Sequence, residues 1–273
     1  MIKLATVVVL ACASYMPAQS QPIVPIERSS DTIPTYTNPF SSGRFDWQQG
    51  QASSASRVFP IKSMIVPGIM VAYGFTALNS RSLKNFNSKV KEEIWTESPH
   101  KKTGIDNYLL FAPAVSVYAL NAMGIHGKNN FKDRTILYIM SNLIANGAVF
   151  SLKSWTHQLR PDGSAYNSFP SGHTAEAFAS AEFMRQEYKD VSPWYGVAGY
   201  AMATATGVLR MYNNKHWCSD VITGAGIGMA STKIAYWLYP IIKHSLWKDK
   251  QPGVVVMPTY QSGTFGVSLA KVF

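Results

Sequence analysis

The chain is short of the residues that staple a protein or load it with metal. Its 273 residues include two cysteines, Cys12 and Cys218, and Cys12 falls in an N-terminal stretch that reads as a removable leader. One cysteine then remains, which excludes an internal disulfide and a cysteine-based metal site. There is no HExxH sequence, no aspartate-rich cluster and no Cys/His ligand spacing, so neither a metal nor another cofactor is expected. Charge is scarce too, at 15% of residues against roughly 25% in ordinary soluble domains. Negative charge is the scarcer sign: Lys and Arg number 25, Asp and Glu 15, for a formal charge of +10. That balance favours anionic partners. No dense Lys/Arg run with interleaved aromatics occurs, so nucleic acid is not among those expected. Strand signals are few, and no internal repeat is present.

What is there is apolar and helical. The first 20 residues carry Lys3, an apolar run Leu4–Ala13 and the small-x-small site Ala18-Gln19-Ser20, the pattern of a secretory signal peptide cleaved before Gln21. An acylation box around Cys12 is the weaker reading, because the apolar run before it is very short. Residues 21–58 are rich in Ser, Pro, Gln and Gly and read as a flexible arm. Residues 59–248 hold helix-length apolar segments at 62–79, 105–125, 135–152, 192–209 and 221–242, with an amphipathic helix at 82–97 and a further helix at 173–188. Segment 221–242 is long enough to span a bilayer. The mean hydropathy of −0.03 is low for a chain crossing five or six times, so a surface-bound or soluble helical domain stays open beside a membrane bundle. Within that segment Gly224-Ala225-Gly226-Ile227-Gly228 places small residues four apart, a close-packing face. It is no dinucleotide loop, since no strand precedes it and the spacing is wrong. Residues 249–273 alternate around Gln261-Ser262-Gly263 and read as a small β-hairpin.

Three fragments carry chemistry. In 168-SFPSGHTAEAF-178, Ser171 is a good N-cap and Gly172 lets another molecule approach the backbone. A helix start of this kind binds anions, and His173 would sit within it. In 153-KSWTHQLRPDGS-164, Lys153 and Arg160 stand seven apart, two helical turns on one face, with Pro161 closing the helix. Alone, the pair reads more readily as a solvated basic face than as a phosphate site. In 209-LRMYNNKHWCSDVITGAG-226, Arg210 ends an apolar segment and Asn213-Asn214 mark a turn. His216 and Asp220 then fall four apart on the next helix, where the carboxylate can hold one imidazole nitrogen and aim the other outward. His126, His157 and His244 have no comparable partner. Three cations, two histidines and an acid at segment ends are the kit for phosphoryl transfer to a histidine.

Together the fragments resemble the type 2 phosphatidate phosphatase superfamily, which also includes bacterial class A acid phosphatases and vanadium haloperoxidases. The family pattern Lys-x6-Arg-Pro is met by Lys153, Arg160 and Pro161, and Pro-Ser-Gly-His by residues 170–173. Ser-Arg-x5-His-x3-Asp is met by Arg210, His216 and Asp220, with Leu209 where the family usually has Ser. The resemblance implies an all-α fold, a compact helical bundle of that kind. It implies His216 as the nucleophile that becomes a phosphohistidine, Asp220 as its orienting carboxylate, and His173 as acid and then base. Lys153, Arg160, Arg210, the Ser171 hydroxyl and the Gly172 N–H would bind phosphate, with no metal. It also implies a phosphorylated lipid as substrate, since the chain resembles envelope lipid phosphatases of Bacteroides-like bacteria, similar to lipid A 4′-phosphatase. Location in a bacterial envelope is expected, exported and membrane-associated, with the site facing the periplasm. A soluble periplasmic acid phosphatase is the alternative and a vanadate haloperoxidase a remote one. A cleaved leader followed by crossings at 62–79, 105–125 and 135–152 would put Lys153 on the inner face. So the leader stays as an anchor, or one segment does not cross, or the domain lies on the periplasmic side without spanning.

Overall fold

A computed structural model describes residues 59–97 and 100–246, with side chains through 243, and the backbone of 254–261 and 264–271. The expected signal peptide and flexible arm lie outside the described residues.

Among the described residues eight α-helices follow one another: α1 (Ile61–Asn79), α2 (Arg81–Lys91), α3 (Asp106–Leu109), α4 (Ala112–Ala122), α5 (Phe131–Thr156), α6 (Gly172–Tyr188), α7 (Pro193–Tyr212) and α8 (Cys218–Leu246), with a π-helical turn, Glu92–Thr96, closing α2. The all-helical class stands. The expected β-hairpin is not supported as part of this architecture. Val254–Gln261 and Thr264–Lys271 are drawn as an antiparallel pair, but their side chains are outside the described residues. Segment 105–125 is not one helix. Pro113 falls in its middle and is accommodated only in the first turn of a new helix, α4, where its missing N–H is no loss.

Helices α6 and α8 form the centre. Their approach depends on absent side chains: a Cβ on Gly228 would lie 2.1 Å from the Ala175 carbonyl oxygen, and one on Gly224 2.4 Å from that of Ser171. Gly226 brings α1 equally near, at 2.8 Å from the Pro67 carbonyl. The close-packing face read from the sequence is therefore used on two sides. Segment 221–242 is the buried core of the domain. The described helices long and apolar enough to cross a membrane are α1 and α5. Both turn large apolar side chains outward, Ile61, Ile65 and Ile69 from α1 and Ile139, Leu143 and Phe150 from α5.

Charge is drawn inward instead. The fully buried Glu182 of α6 accepts from Arg185 Nη2 at 2.6 Å, from Lys233 Nζ of α8 at 2.9 Å and from the Tyr200 hydroxyl of α7. Glu187, five residues on, accepts from Arg134 Nε at 3.1 Å and the Tyr236 hydroxyl at 2.5 Å. Buried carboxylates need such partners, because an unpaired one would neutralise or unfold its surroundings.

Gly228→Ala is expected to lower stability by about 1–3 kcal/mol through overpacking. Gly147→Ala, where an added Cβ meets nothing within 4 Å, should be neutral or mildly stabilising. Melting temperatures of the two variants in detergent check this, and equal melting would refute the glycine seam.

Candidate active site

The three fragments converge at one end of the bundle, where α5 and α7 end and α6 and α8 begin. The helix after Pro170 starts as its sequence predicts. Ser171 is the N-cap, its side chain accepts from Thr174 N at 3.4 Å, and its Oγ pairs with Thr174 Oγ1 at 2.8 Å. Ser171 N donates to the Asp220 carbonyl at 3.0 Å, which joins the start of α6 to the start of α8. A Cβ on Gly172 would meet only Val149 at 3.6 Å. Packing does not demand glycine there.

Lys153 and Arg160 do not share a helix face, contrary to the sequence reading. Helix α5 stops at Thr156, four residues before Arg160, because His157 turns left-handed with φ 45° and caps it. Pro161 comes too late to close it. Arg160 is instead presented by a stitched loop. Its own N–H donates to the Ala165 carbonyl at 2.9 Å and its carbonyl accepts from Gly163 N at 3.0 Å. Gly163, at φ +71°, takes the turn conformation that a side chain would strain. Asp162 pins the loop to both flanks, 2.7 Å from Lys215 Nζ and 3.5 Å from Lys102 Nζ. Lys153 Nζ donates to the Asn167 carbonyl across the same loop.

Arg210 ends α7, and Asn214, at φ 57°, makes the turn expected from the Asn-Asn pair. His216 lies just before α8 rather than on it. Its Nδ1 is 2.8 Å from the Ser168 carbonyl and 3.6 Å from Asp220 Oδ2. The carboxylate thus holds the ring mainly at second hand. Asp220 Oδ2 accepts from Ser168 Oγ at 2.5 Å and from Trp217 N at 3.0 Å. It fixes the residue that fixes the imidazole, and caps its own helix in doing so. A carbonyl only accepts, so Nδ1 carries the hydrogen and Nε2 keeps a free lone pair. Burial pushes the His216 imidazole below its ordinary value. Arg210 and Lys153 add to the drop and Asp220 opposes it.

His173 Nε2 donates to Asn107 Oδ1 at 2.9 Å. Burial first, then the field of Arg210, lowers this ring from 6.5 to about 4, with His216 and Arg160 also lowering it and Asp106 opposing. Arg160, Arg210, His173, His216 and Asp220 thus share one electrostatic neighbourhood with Lys153. Two of its donors are unspent: Arg160 Nε and Arg210 Nε are buried without a hydrogen-bond partner. Buried guanidinium N–H groups left so cost about 1–3 kcal/mol each, and an oxyanion between them would satisfy both. Among the described residues no group of three or more His, Cys, Asp and Glu side chains could hold a metal. A separate cavity of about 570 Å³, lined by Tyr118, Asn121, His126, Lys128 and Arg134 among others, lies at the far end of α5. Its Arg134 is already committed to Glu187.

The sequence did not single out Ser168, Asp106 or Asn107. Ser168 lay within the quoted motif stretch and could have been weighed as a polar residue just before a helix cap. Asp106 and Asn107 stand 104 and 66 residues from the partners they touch, and no local pattern marks them.

The ring of His173 should titrate near pH 4 in the free protein and move upward when vanadate or phosphate binds, as followed by NMR of labelled histidine. Between about 4 and 6.5 the unfolded chain binds more protons at this ring than the folded one. Stability contributed here therefore falls as pH drops through that window. A midpoint at the unperturbed value, unmoved by the anion, would refute the shared field.

The chain was compared with known proteins. Over 168 residues it is 36% identical to a lipid A 1-phosphatase of Porphyromonas gingivalis, a match that covers 60% of this chain and 38% of that relative. A crystal structure of Aquifex aeolicus LpxE aligns over 62% of this chain and 93% of its own, at 21% identity and a TM-score of 0.38. A crystal structure of the PAP2-type phosphatidylglycerolphosphate phosphatase of Bacillus subtilis aligns over 71% and 98%, at 19% identity and a TM-score of 0.43. The PAP2 superfamily matches residues 134–243, a span that runs from Arg134 through Lys153, both histidines of the site and Asp220.

Proposed function

We propose that the chain is a phosphatase that hydrolyses phosphate esters of membrane lipids through a phosphohistidine, without a metal. The observation that carries this is the pair of unpaired buried guanidinium Nε atoms, Arg160 and Arg210, set around a buried imidazole whose Nε2 is left bare. Lys153, Arg160 and Arg210 hold the phosphate oxygens and neutralise the charge that spreads over them in the transition state. The backbone N–H of Gly172 at the start of α6 adds a further donor. The Ser171 hydroxyl, paired with Thr174, shapes the helix start and reaches phosphate only as a secondary contact.

His216 Nε2 attacks phosphorus in line, a P–N bond forms and the P–O bond to the lipid breaks. The Nδ1–H stays on the Ser168 carbonyl, and Asp220, through Ser168, steadies the positive ring. His173 gives its proton to the departing oxygen. A neutral His173 suits the empty site, and the incoming phosphate anion raises its affinity for the proton it must deliver. In the second half His173 takes a proton from water, the hydroxide oxygen bonds to phosphorus, and the P–N bond breaks to release phosphate and regenerate His216.

A lipid substrate is supported by the outward apolar faces of α1 and α5 and by the rim of the site. Tyr108 is 81% exposed, Trp155 70% and Tyr166 66%, a surface that suits acyl chains and a sugar headgroup better than water. The relative's activity makes lipid A, at its 1-phosphate, the first substrate to test. The same surface favours a membrane-associated domain over a soluble acid phosphatase. Export, a periplasm-facing site and the C-terminal hairpin as an appended ribbon belong to the same proposal.

The test is phosphate release from lipid A, phosphatidate, phosphatidylglycerophosphate, undecaprenyl pyrophosphate and p-nitrophenyl phosphate by protein in detergent. A lipid should be preferred to p-nitrophenyl phosphate, vanadate should inhibit, and EDTA should have no effect. His216→Ala should lower turnover by at least about a thousandfold, as removal of a covalent nucleophile does, with melting unchanged. Near-normal turnover in that variant would end the assignment.

A further inference from the structure

Two polar side chains at the site have no part in the chemistry above. Asp106, 1% exposed, accepts from Arg210 Nη1 at 2.6 Å and from Asn213 Nδ2 at 3.3 Å. Asn107, its neighbour, accepts from His173 Nε2 at 2.9 Å. The segment bearing them is bolted to the end of α7. Asn213 Oδ1 accepts from Thr103 N at 2.9 Å and Asn213 Nδ2 donates to the Thr103 carbonyl at 2.8 Å. A four-residue helix has no stability of its own, so α3 exists as a helix because this end of the bundle holds it.

We infer that Asp106 and Asn107 are positioning residues for the reaction: α3 is a jig that sets the acid and one phosphate-binding cation relative to each other. The inference rests on the phosphatase reading above. Its force comes from adjacency. Consecutive residues of one short turn grip His173 of α6 and Arg210 of α7, so the spacing between proton donor and guanidinium is set by a single rigid peptide.

The chemistry of each choice fits the task. The Asn107 amide oxygen only accepts, so it holds the neutral ring in the tautomer protonated at Nε2 and fixes its plane. Being uncharged, it does so without trapping the proton that the acid must give up. A carboxylate in the same place would hold that proton too well. Asp106 grips Arg210 through one nitrogen, Nη1, and leaves Nε unspent for substrate. It also tempers the field on the acid. The charged and titratable groups acting on His173 are Arg210 from α7, Asp106 from α3, His216 from the turn before α8 and Arg160 from the loop after α5. Asp106 is the negative member of that set.

The experiment measures kcat, KM and the pH profile of lipid phosphate release for Asn107→Ala, Asn107→Asp and Asp106→Asn, each alone and in a His173→Ala background. Asn107→Ala should lower kcat by about 10–100-fold, the usual cost of removing an outer partner of an active imidazole, with KM changed far less. Asn107→Asp should restore the grip yet move the basic limb of the profile upward, and Asp106→Asn should move it downward. In the His173→Ala background Asn107→Ala should cause no further loss, since its effect acts through the ring. A wild-type kcat and pH profile in Asn107→Ala, or an undiminished additional loss without His173, overturns the inference. Should Asn107→Ala melt early, the opposite limb shifts of Asn107→Asp and Asp106→Asn still decide it. Retained activity in His216→Ala would instead mark failure of the phosphatase reading itself.

Discussion

The contact between α6 and α8 is the constraint on which the site depends. Glycines at 224 and 228 let the two backbones approach until carbonyls of one helix stand where side chains of the other would be. At the end of that seam Ser171 N meets the Asp220 carbonyl. Both helices therefore begin at the same place, with His173 in the first turn of one and His216 immediately before the other. The two histidines of the candidate site are neighbours because two helix starts are neighbours, and the starts are neighbours because nothing larger than hydrogen stands between the axes. The loop bearing Arg160 and the end of α7 bearing Arg210 then close around a position already defined.

The distribution of charge explains how so few charged residues suffice. Glu182 and Glu187 are buried on α6, each with cations and a tyrosine from other helices, while Ile, Leu, Phe and Trp side chains look outward from α1 and α5. Inside a low-dielectric interior such pairs lock helices in register, since separating either partner strands a charge. The buried ion pairs of α6 and the outward apolar faces of α1 and α5 occur together in one bundle whose core is otherwise apolar.

Much of this was legible in the sequence because the informative residues mark helix ends. Ser171 caps, Asn213-Asn214 turn, and the glycines of 224–228 pack as their spacing implies. The PAP2 resemblance drawn from residues 153–220 agrees with the family match. Two readings went astray where a local rule met a competing one. By sequence Pro161 marks the stop for α5, but His157 accepts a left-handed conformation and ends the helix a turn earlier. Segment 105–125 looked continuous by hydropathy, but Pro113 needs a helix start. Asp220 Oδ2 stands 3.6 Å from His216 Nδ1, as their spacing suggests. Ser168 adds a second link between them, which depends on where a loop carbonyl points and which no spacing encodes. Asp106 and Asn107 were invisible for the same reason.

The direction of α1 has a consequence for how the polypeptide is threaded. Phe59 packs on Trp237, Gly226 lies against Pro67, and Phe75 reaches Phe169 beside the site, so α1 runs antiparallel to α8 and arrives at the catalytic end. Wherever α1 traverses a bilayer, Phe59 and the candidate site lie toward opposite faces of it. The face at which residue 59 emerges and the face that the site meets are then complementary, and finding either one dictates the other.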